Sequence, residues 1–197
     1  MITLQENTIV LYFGTYNPVH VGHMIIGQYI FENSNAKELW YVVSPQNPFK
    51  ANQTILADRQ RLHMVNLAIK DPYHIKTSDI EFGLPKPSYT AVTLAHLSEK
   101  HPDKKFAIVM GSDNLVNFHK WKNYESILEH HQVIVYPRKE KSTDKYDGHE
   151  NVYKIDAPEI ELSSTLIRNS VKEGKNISQM LPQGVWEYID KNGFYLR

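Results

Sequence analysis

Residues Gly14 to His23 read GTYNPVHVGH, directly behind an apolar run, TIVLYF. His20 and His23 stand at i and i+3, so on the first turn of a helix their rings would share one face. Pro18 favours a turn or the first helical position, which predicts a helix start between Asn17 and Val21. A helix N-terminus presents unpaired N–H groups and a positive dipole end to an anion. Two imidazole donors at that point suit phosphate, above all charge that grows on a phosphate during reaction. Gly14 ends the strand without a Cβ, which lets a ligand approach the backbone, and Gly22 keeps the surface between the histidines open. The same pair could hold a metal or be ordinary polar positions. No acidic or thiol third ligand accompanies it locally, so zinc is the lesser reading.

A second constellation lies near the other end, LSSTLIRNS, from Leu162 to Ser170. Ser163 or Ser164 is a natural N-cap, and TLIRNSVKEG reads as a short helix stopped by Gly174. The hydroxyls of Ser164 and Thr165, with the planar fork of Arg168 one turn on, again describe a phosphate cradle. Lys50, in SPQNPFK, is a third candidate cation. The usual nucleotide signatures are missing: no G-x-x-x-x-G-K-[ST], no G-x-G-x-x-G behind a strand, and no G-x-S-x-G elbow.

What positions these residues is an alternation of strand-length apolar runs and helix-period segments. Strands are predicted over 8–13, 38–44, 74–82, 105–111, 132–137 and 152–156. The spacing of Leu62, Val65 and Ile69, and of Val92, Ala95 and Leu97, predicts helices. A third helix runs from Pro182 to a stop at Gly193. Near-continuous hydrophobic strands separated by helices predict a Rossmann-like, doubly wound α/β domain, its mainly parallel sheet covered by helices on both faces. Ligands of such sheets bind beyond the strands' carboxyl ends. Gly14–His23, Ser44–Lys50, Gly111–Asp113 and Pro137–Arg138 all fall there. The polar stretch 138–150 reads as a solvated loop, with a mobile flap as the alternative.

Composition narrows the classes. Apolar residues make up 41% of the 197 and charged residues 22%, which is a globular balance. Lys plus Arg and Asp plus Glu both number 22, so nothing favours a nucleic acid partner. Cysteine is absent, which excludes disulfides and thiolate chemistry. No apolar run approaches a membrane span, and TIVLYF is too short for a signal core. The expectation is a cytoplasmic protein with no membrane partner.

GTYNPVHVGH together with SSTLIR resembles the HxGH nucleotidyltransferases. NPFK, PSYTAVTL, VMGSDNLVNFHKWKNYESIL, YPR and LPQGVWEYIDKNGFY make the chain similar to their bacterial nicotinate-nucleotide adenylyltransferase branch. Departures include Phe13 where a glycine is common, Asn17 for aspartate and Phe49 for histidine.

The resemblance implies one nucleotidyltransferase domain over 1–197, with C-terminal helices at about 163–193 completing an ATP site. It implies transfer of the adenylyl group of ATP to nicotinate mononucleotide, with Mg²⁺ carried by ATP. His20, His23, Lys50, Ser164, Thr165 and Arg168 would contact the ATP phosphates. Gly14, Thr15 and Tyr16 would line the junction of the substrates, and Gly111 and Asp113 would face the ATP ribose. Thr90 and Trp121 would hold the pyridine ring, with Arg138 near the mononucleotide. Ser88, read as a helix cap, would leave N–H groups near Tyr89 and Thr90 for the pyridine carboxylate. Alternatives are a nicotinamide-mononucleotide or phosphopantetheine adenylyltransferase, or an inactive nucleotide-binding module. Self-association into a homo-oligomer stays open.

Overall fold

The computed structural model describes residues 1–45, 55–138 and 144–196; Lys50 lies outside the described residues. The first half of the chain runs β1 (Thr8–Gly14), α1 (Val21–Glu32), β2 (Glu38–Val43), α2 (Asp58–Ala68), β3 (Ile75–Ser78) and α3 (Thr90–Lys100). The second half runs β4 (Lys105–Gly111), α4 (Ser112–Val116), α5 (Tyr124–His130), β5 (Gln132–Tyr136) and β6 (Val152–Lys154). Two helices close it, α6 (Ser164–Lys172) and α7 (Gln183–Asn192). All strand pairings in the sheet are parallel, in the order β3-β2-β1-β4-β5-β6. The chain winds outward from β1, returns and winds out the other way from β4. The crevice between the ends of β1 and β4 is therefore the switch point where such sheets bind ligands.

Side-chain alternation along β1 assigns the two faces. Val10 and Tyr12 join a core with Ile26 and Ile30 of α1, Met64 and Val65 of α2, Ile167 of α6 and Val185 of α7. Ile9 and Leu11 join the opposite core, with Leu94 and Leu97 of α3, Leu115 of α4 and Ile127 of α5. Helices on both faces explain why the central strands are apolar on both sides.

The expected strand over 74–82 is shorter. β3 stops at Ser78, and Ile80–Gly83 forms a 3₁₀ turn. Ser78 Oγ accepts from the Ile80 N–H at 3.3 Å and Asp79 O from Phe82 N–H at 2.8 Å, so local bonds end the strand. Both helix faces are also rotated from the predicted ones. α2 buries Arg61, Met64, Val65 and Ala68, and α3 buries Thr93, Leu94 and Leu97. Of the stretch 138–150, residues 139–143 lie outside the described residues, and Asp144–Tyr146 forms a 3₁₀ turn whose buried Tyr146 ring meets Phe118 at 6.1 Å. Among the described residues, no helix is long and apolar enough to cross a membrane.

Candidate active site

α1 starts at Val21, which makes His20 its N-cap, with extended backbone (φ −141°, ψ 169°), and not a first-turn residue. His23, one turn in, accepts the His20 backbone N–H on Nδ1 at 3.3 Å, which leaves its ring proton for Nε2. The two rings stack with centroids 3.7 Å apart. His20 is only 3% exposed, and its Nδ1 is buried without a hydrogen-bond partner. Burial, helped by the Arg138 charge, pushes its pKa down to about 4. It therefore acts at neutral pH as a neutral imidazole. Gly22 sits against this ring: a Cβ there would stand 3.0 Å from His20 Nδ1 and 3.2 Å from Ile160 Cγ2.

Gly14 has a different reason from the predicted one. A Cβ there would strike the Tyr16 ring at 2.6 Å, so the space belongs to the protein. Tyr16 is fully buried at φ 47°, its hydroxyl donating to Tyr12 O. Any contact it makes with substrate must come from its main chain. The turn is held by Arg61, a side chain that the sequence reading did not single out. Arg61 is 0% exposed. Nη1 donates to Thr15 O and, at 2.8 Å, to Ser44 O. Nε donates to Leu56 O at 3.0 Å, and Nη2 to Pro45 O at 3.4 Å and Asp58 Oδ1 at 2.6 Å. One guanidinium thus ties together the segments that follow β1 and β2. Position 61 shares the buried face with Met64, Val65 and Ala68, whereas the face predicted through Leu62, Val65 and Ile69 passes it by.

The ends of β4 and β5 close the other side of the cleft. At Gly111 a Cβ would collide with Asp113 Oδ1 and stand 3.1 Å from Arg138 Cγ, so only glycine lets these side chains approach. Ser112 Oγ pins Arg138 from both sides, accepting its N–H at 2.9 Å and donating to its O at 3.1 Å. Arg138 Nη2 donates to Tyr136 Oη at 3.3 Å, and Tyr136 Oη accepts from Tyr12 Oη at 3.3 Å. Arg138 and Tyr136 line one cleft with His20, Gly22, His23, Ile160 and Leu162. The structure thus sets Arg138 among the residues expected at ATP, whereas the resemblance set it near the mononucleotide. Ile160 and Leu162, apolar walls of this cleft, carried no signal in the sequence.

From the C-terminal region, Ser163 caps α6 by accepting the Leu166 N–H at 3.2 Å. Ser164 Oγ donates to Pro18 O at 2.8 Å, and Arg168 Nη1 to Asn17 O at 2.8 Å. Arg168 Nη2 reaches Thr165 Oγ1 at 3.3 Å, and Tyr195 Oη donates to Asn17 Oδ1 at 2.9 Å. The SSTLIR segment is therefore latched to the segment that leads into His20.

A second cluster surrounds the start of α3. Its N-cap is Tyr89 and not the predicted Ser88. Val92 N–H makes the first helical bond, to Tyr89 O at 2.9 Å, so the N–H groups of Thr90 and Ala91 precede the ladder. Ser88 Oγ points inward and is buried. Lys122 Nζ lies 4.8 Å from the centre of the Tyr89 ring, and its neighbour Trp121 packs edge-on against Phe118 at 5.2 Å. Trp121 and α3 thus pack on the face of Ile9 and Leu11, and α1, which carries His23, on the opposite face. Below α3, Glu81 Oε1 lies at hydrogen-bond distance, 2.7 Å, from Thr93 Oγ1. Among the described residues no three His, Cys, Asp or Glu side chains gather as a metal cage.

A six-stranded parallel sheet with paired histidines at its switch point and a serine-capped arginine helix against them defines a nucleotidyltransferase. The cytidylyltransferase-like family profile matches residues 11–170, and the chain belongs to that family. A Flavobacterium johnsoniae protein named "probable nicotinate-nucleotide adenylyltransferase" is 56% identical over 187 residues, covering 94% of this chain and 97% of its own. A protein of the same name from Flavobacterium psychrophilum is 52% identical over the same length. The chain is a member of the nicotinate-nucleotide adenylyltransferases. In fold it matches Plasmodium falciparum nicotinic acid mononucleotide adenylyltransferase complexed with NaAD, with TM-score 0.82 at 20% identity over 96% of this chain and 98% of that one.

Proposed function

We propose that the protein joins nicotinate mononucleotide to ATP, giving nicotinate adenine dinucleotide and pyrophosphate. The observation that carries this reading is the stacked His20–His23 pair, 3.7 Å between centroids, at the N-terminus of α1 in the switch-point crevice. An oxygen of the mononucleotide phosphate attacks the α-phosphorus of ATP, and the bond from that phosphorus to the α,β-bridging oxygen breaks, so that oxygen leaves with the pyrophosphate. No covalent enzyme intermediate is needed, so the chain's contribution is positioning and charge stabilisation. His20 and His23 donate to phosphate oxygens, and His20 does so uncharged. Arg168, fixed at Asn17 O, directs its remaining N–H groups with Thr165 toward the leaving pyrophosphate. Gly111 and Asp113 face the ribose, and Arg138 adds positive charge beside His20. The cleft offers donors and cations, a set that suits an anionic triphosphate. Mg²⁺ would arrive on ATP oxygens and water, and would supply charge neutralisation there. The reaction fits a cytoplasmic, ATP-rich setting.

The start of α3 takes the pyridine ring. The N–H groups of Thr90 and Ala91, with Lys122 near Tyr89, favour a carboxylate over a carboxamide. Hydrogen bonds to a charged acceptor contribute about 1.5–3 kcal/mol against about 1 for a neutral one, so the acid should be preferred on the order of tenfold. The test is pyrophosphate release from ATP and Mg²⁺ with nicotinate mononucleotide, nicotinamide mononucleotide or phosphopantetheine. A higher kcat/KM for the amide, or turnover of phosphopantetheine, would refute the assignment.

A further inference from the structure

We propose that Glu81 is a positioning residue for the pyridine cradle: as a neutral carboxylic acid it fixes the first turn of α3 through Thr93. It thereby sets the donors that receive the substrate carboxylate. The inference rests on reading the α3 N-terminus as the pyridine site.

Glu81 lies on the 3₁₀ turn Ile80–Gly83 and is 1% exposed. Its Oε1 is 2.7 Å from Thr93 Oγ1, which lies 3.4 Å from Tyr89 O, the N-cap carbonyl. A threonine hydroxyl has one proton and cannot serve both acceptors. If Glu81 is ionised, that proton is drawn to the carboxylate and the bond to Tyr89 O is lost. If Glu81 carries the proton on Oε1, it donates to Thr93 Oγ1, which then donates onward to Tyr89 O. Both contacts are satisfied only with the acid protonated.

The second carboxyl oxygen adds an independent sign. Glu81 Oε2 and Ser88 Oγ are both buried without a completed hydrogen bond, although the hydroxyls of Ser44 and Ser88 lie close to this carboxyl. The groups facing Glu81 are thus hydroxyls, from the end of β2, from the loop before α3 and from α3 itself. Burial is the largest influence on its pKa and raises it; the three hydroxyls oppose this, and no charged side chain contributes. The cation on the far side of Ser44, Arg61, is engaged by carbonyls and Asp58. An ionised Glu81 would set a negative charge behind donors that must receive a carboxylate.

Glu81→Gln keeps the shape and cannot ionise. Kinetics at saturating ATP, across pH on both sides of neutrality, compare it with wild type. Wild-type KM for the acid mononucleotide should rise about tenfold per pH unit above the Glu81 pKa, because only the protonated fraction binds well. That limb should be missing in the variant, with KM for ATP unchanged in both. Parallel profiles would overturn the proposal. So would an infrared spectrum of wild type without the carbonyl band of a buried protonated acid that Glu81→Gln removes. If Glu81→Gln does not fold, Thr93→Val should raise KM for the acid while Thr93→Ser restores it; equal values overturn the claim. Wild type inactive with every pyridine mononucleotide would instead refute the assigned reaction, and the infrared band would still decide the state of Glu81.

Discussion

Arg61→Lys isolates what one buried guanidinium does for the switch-point loops. Arg61 makes bonds to four main-chain carbonyls and one carboxylate, from Nε, Nη1 and Nη2, and is 0% exposed. An ammonium has three donors radiating from one point, so at least two of these acceptors lose their partner. A buried polar group left unpaired costs about 1–3 kcal/mol, which puts the loss at about 2–6 kcal/mol. That is a large part of the roughly 5–15 kcal/mol holding a domain of this kind together. Urea denaturation followed by circular dichroism, with linear extrapolation, reads it; with a slope of about 1–3 kcal/mol/M the midpoint should fall by at least about 0.7 M. Because Thr15 O is one of the carbonyls released, the turn at the substrate junction should shift. A misplacement near 1 Å can cost on the order of 10² in kcat. A folded Arg61→Lys variant with a stability loss under about 1 kcal/mol and wild-type kcat would refute the reasoning.

Gly22→Ala separates stability from activity: helix propensity gains up to about 1 kcal/mol, while the new Cβ, 3.0 Å from His20 Nδ1, must displace that ring. Melting should stay within a few degrees of wild type and kcat/KM should fall on the order of tenfold or more; unchanged kinetics would show that the ring has room. His20 gives a pH signature. Its folded pKa, about 4, lies below the unfolded value near 6.5, so the unfolded chain takes up the proton first and stability falls as pH drops through that window. The slope approaches about 1.4 kcal/mol per pH unit, and His20→Asn should flatten it; identical slopes in denaturation series would contradict the neutral buried imidazole. Arg168→Lys should lower kcat/KM for ATP by roughly tenfold or more, since an ammonium cannot hold Asn17 O and a phosphate in one plane. Equal ATP kinetics would remove Arg168 from the phosphate site.

The alternation of apolar runs and helical periods was enough, on its own, to define a parallel α/β sheet, because strands buried on both faces must be apolar throughout. GTYNPVHVGH and SSTLIR pointed to the proposed phosphate site for a similar reason: anion binding at a helix start uses local residue types at short spacing. Gly193 as the stop of α7, in the left-handed region at φ 61°, was legible on the same ground. What only the tertiary structure decided depends on partners distant in the chain. Arg61 looks like a solvated helix residue until Thr15, Ser44 and Leu56 converge on it. Glu81 looks like an outward position in a strand until Ser78 and Asp79 end that strand and turn it under α3. Ser88 has the composition of a cap, yet its hydroxyl turns toward that buried acid and Tyr89 takes the cap position. Gly14 is required by the ring of Tyr16, two residues on, which only the fold brings back over it. Periodicity records which face of an element is apolar; it does not record which buried polar groups must find one another once water is excluded.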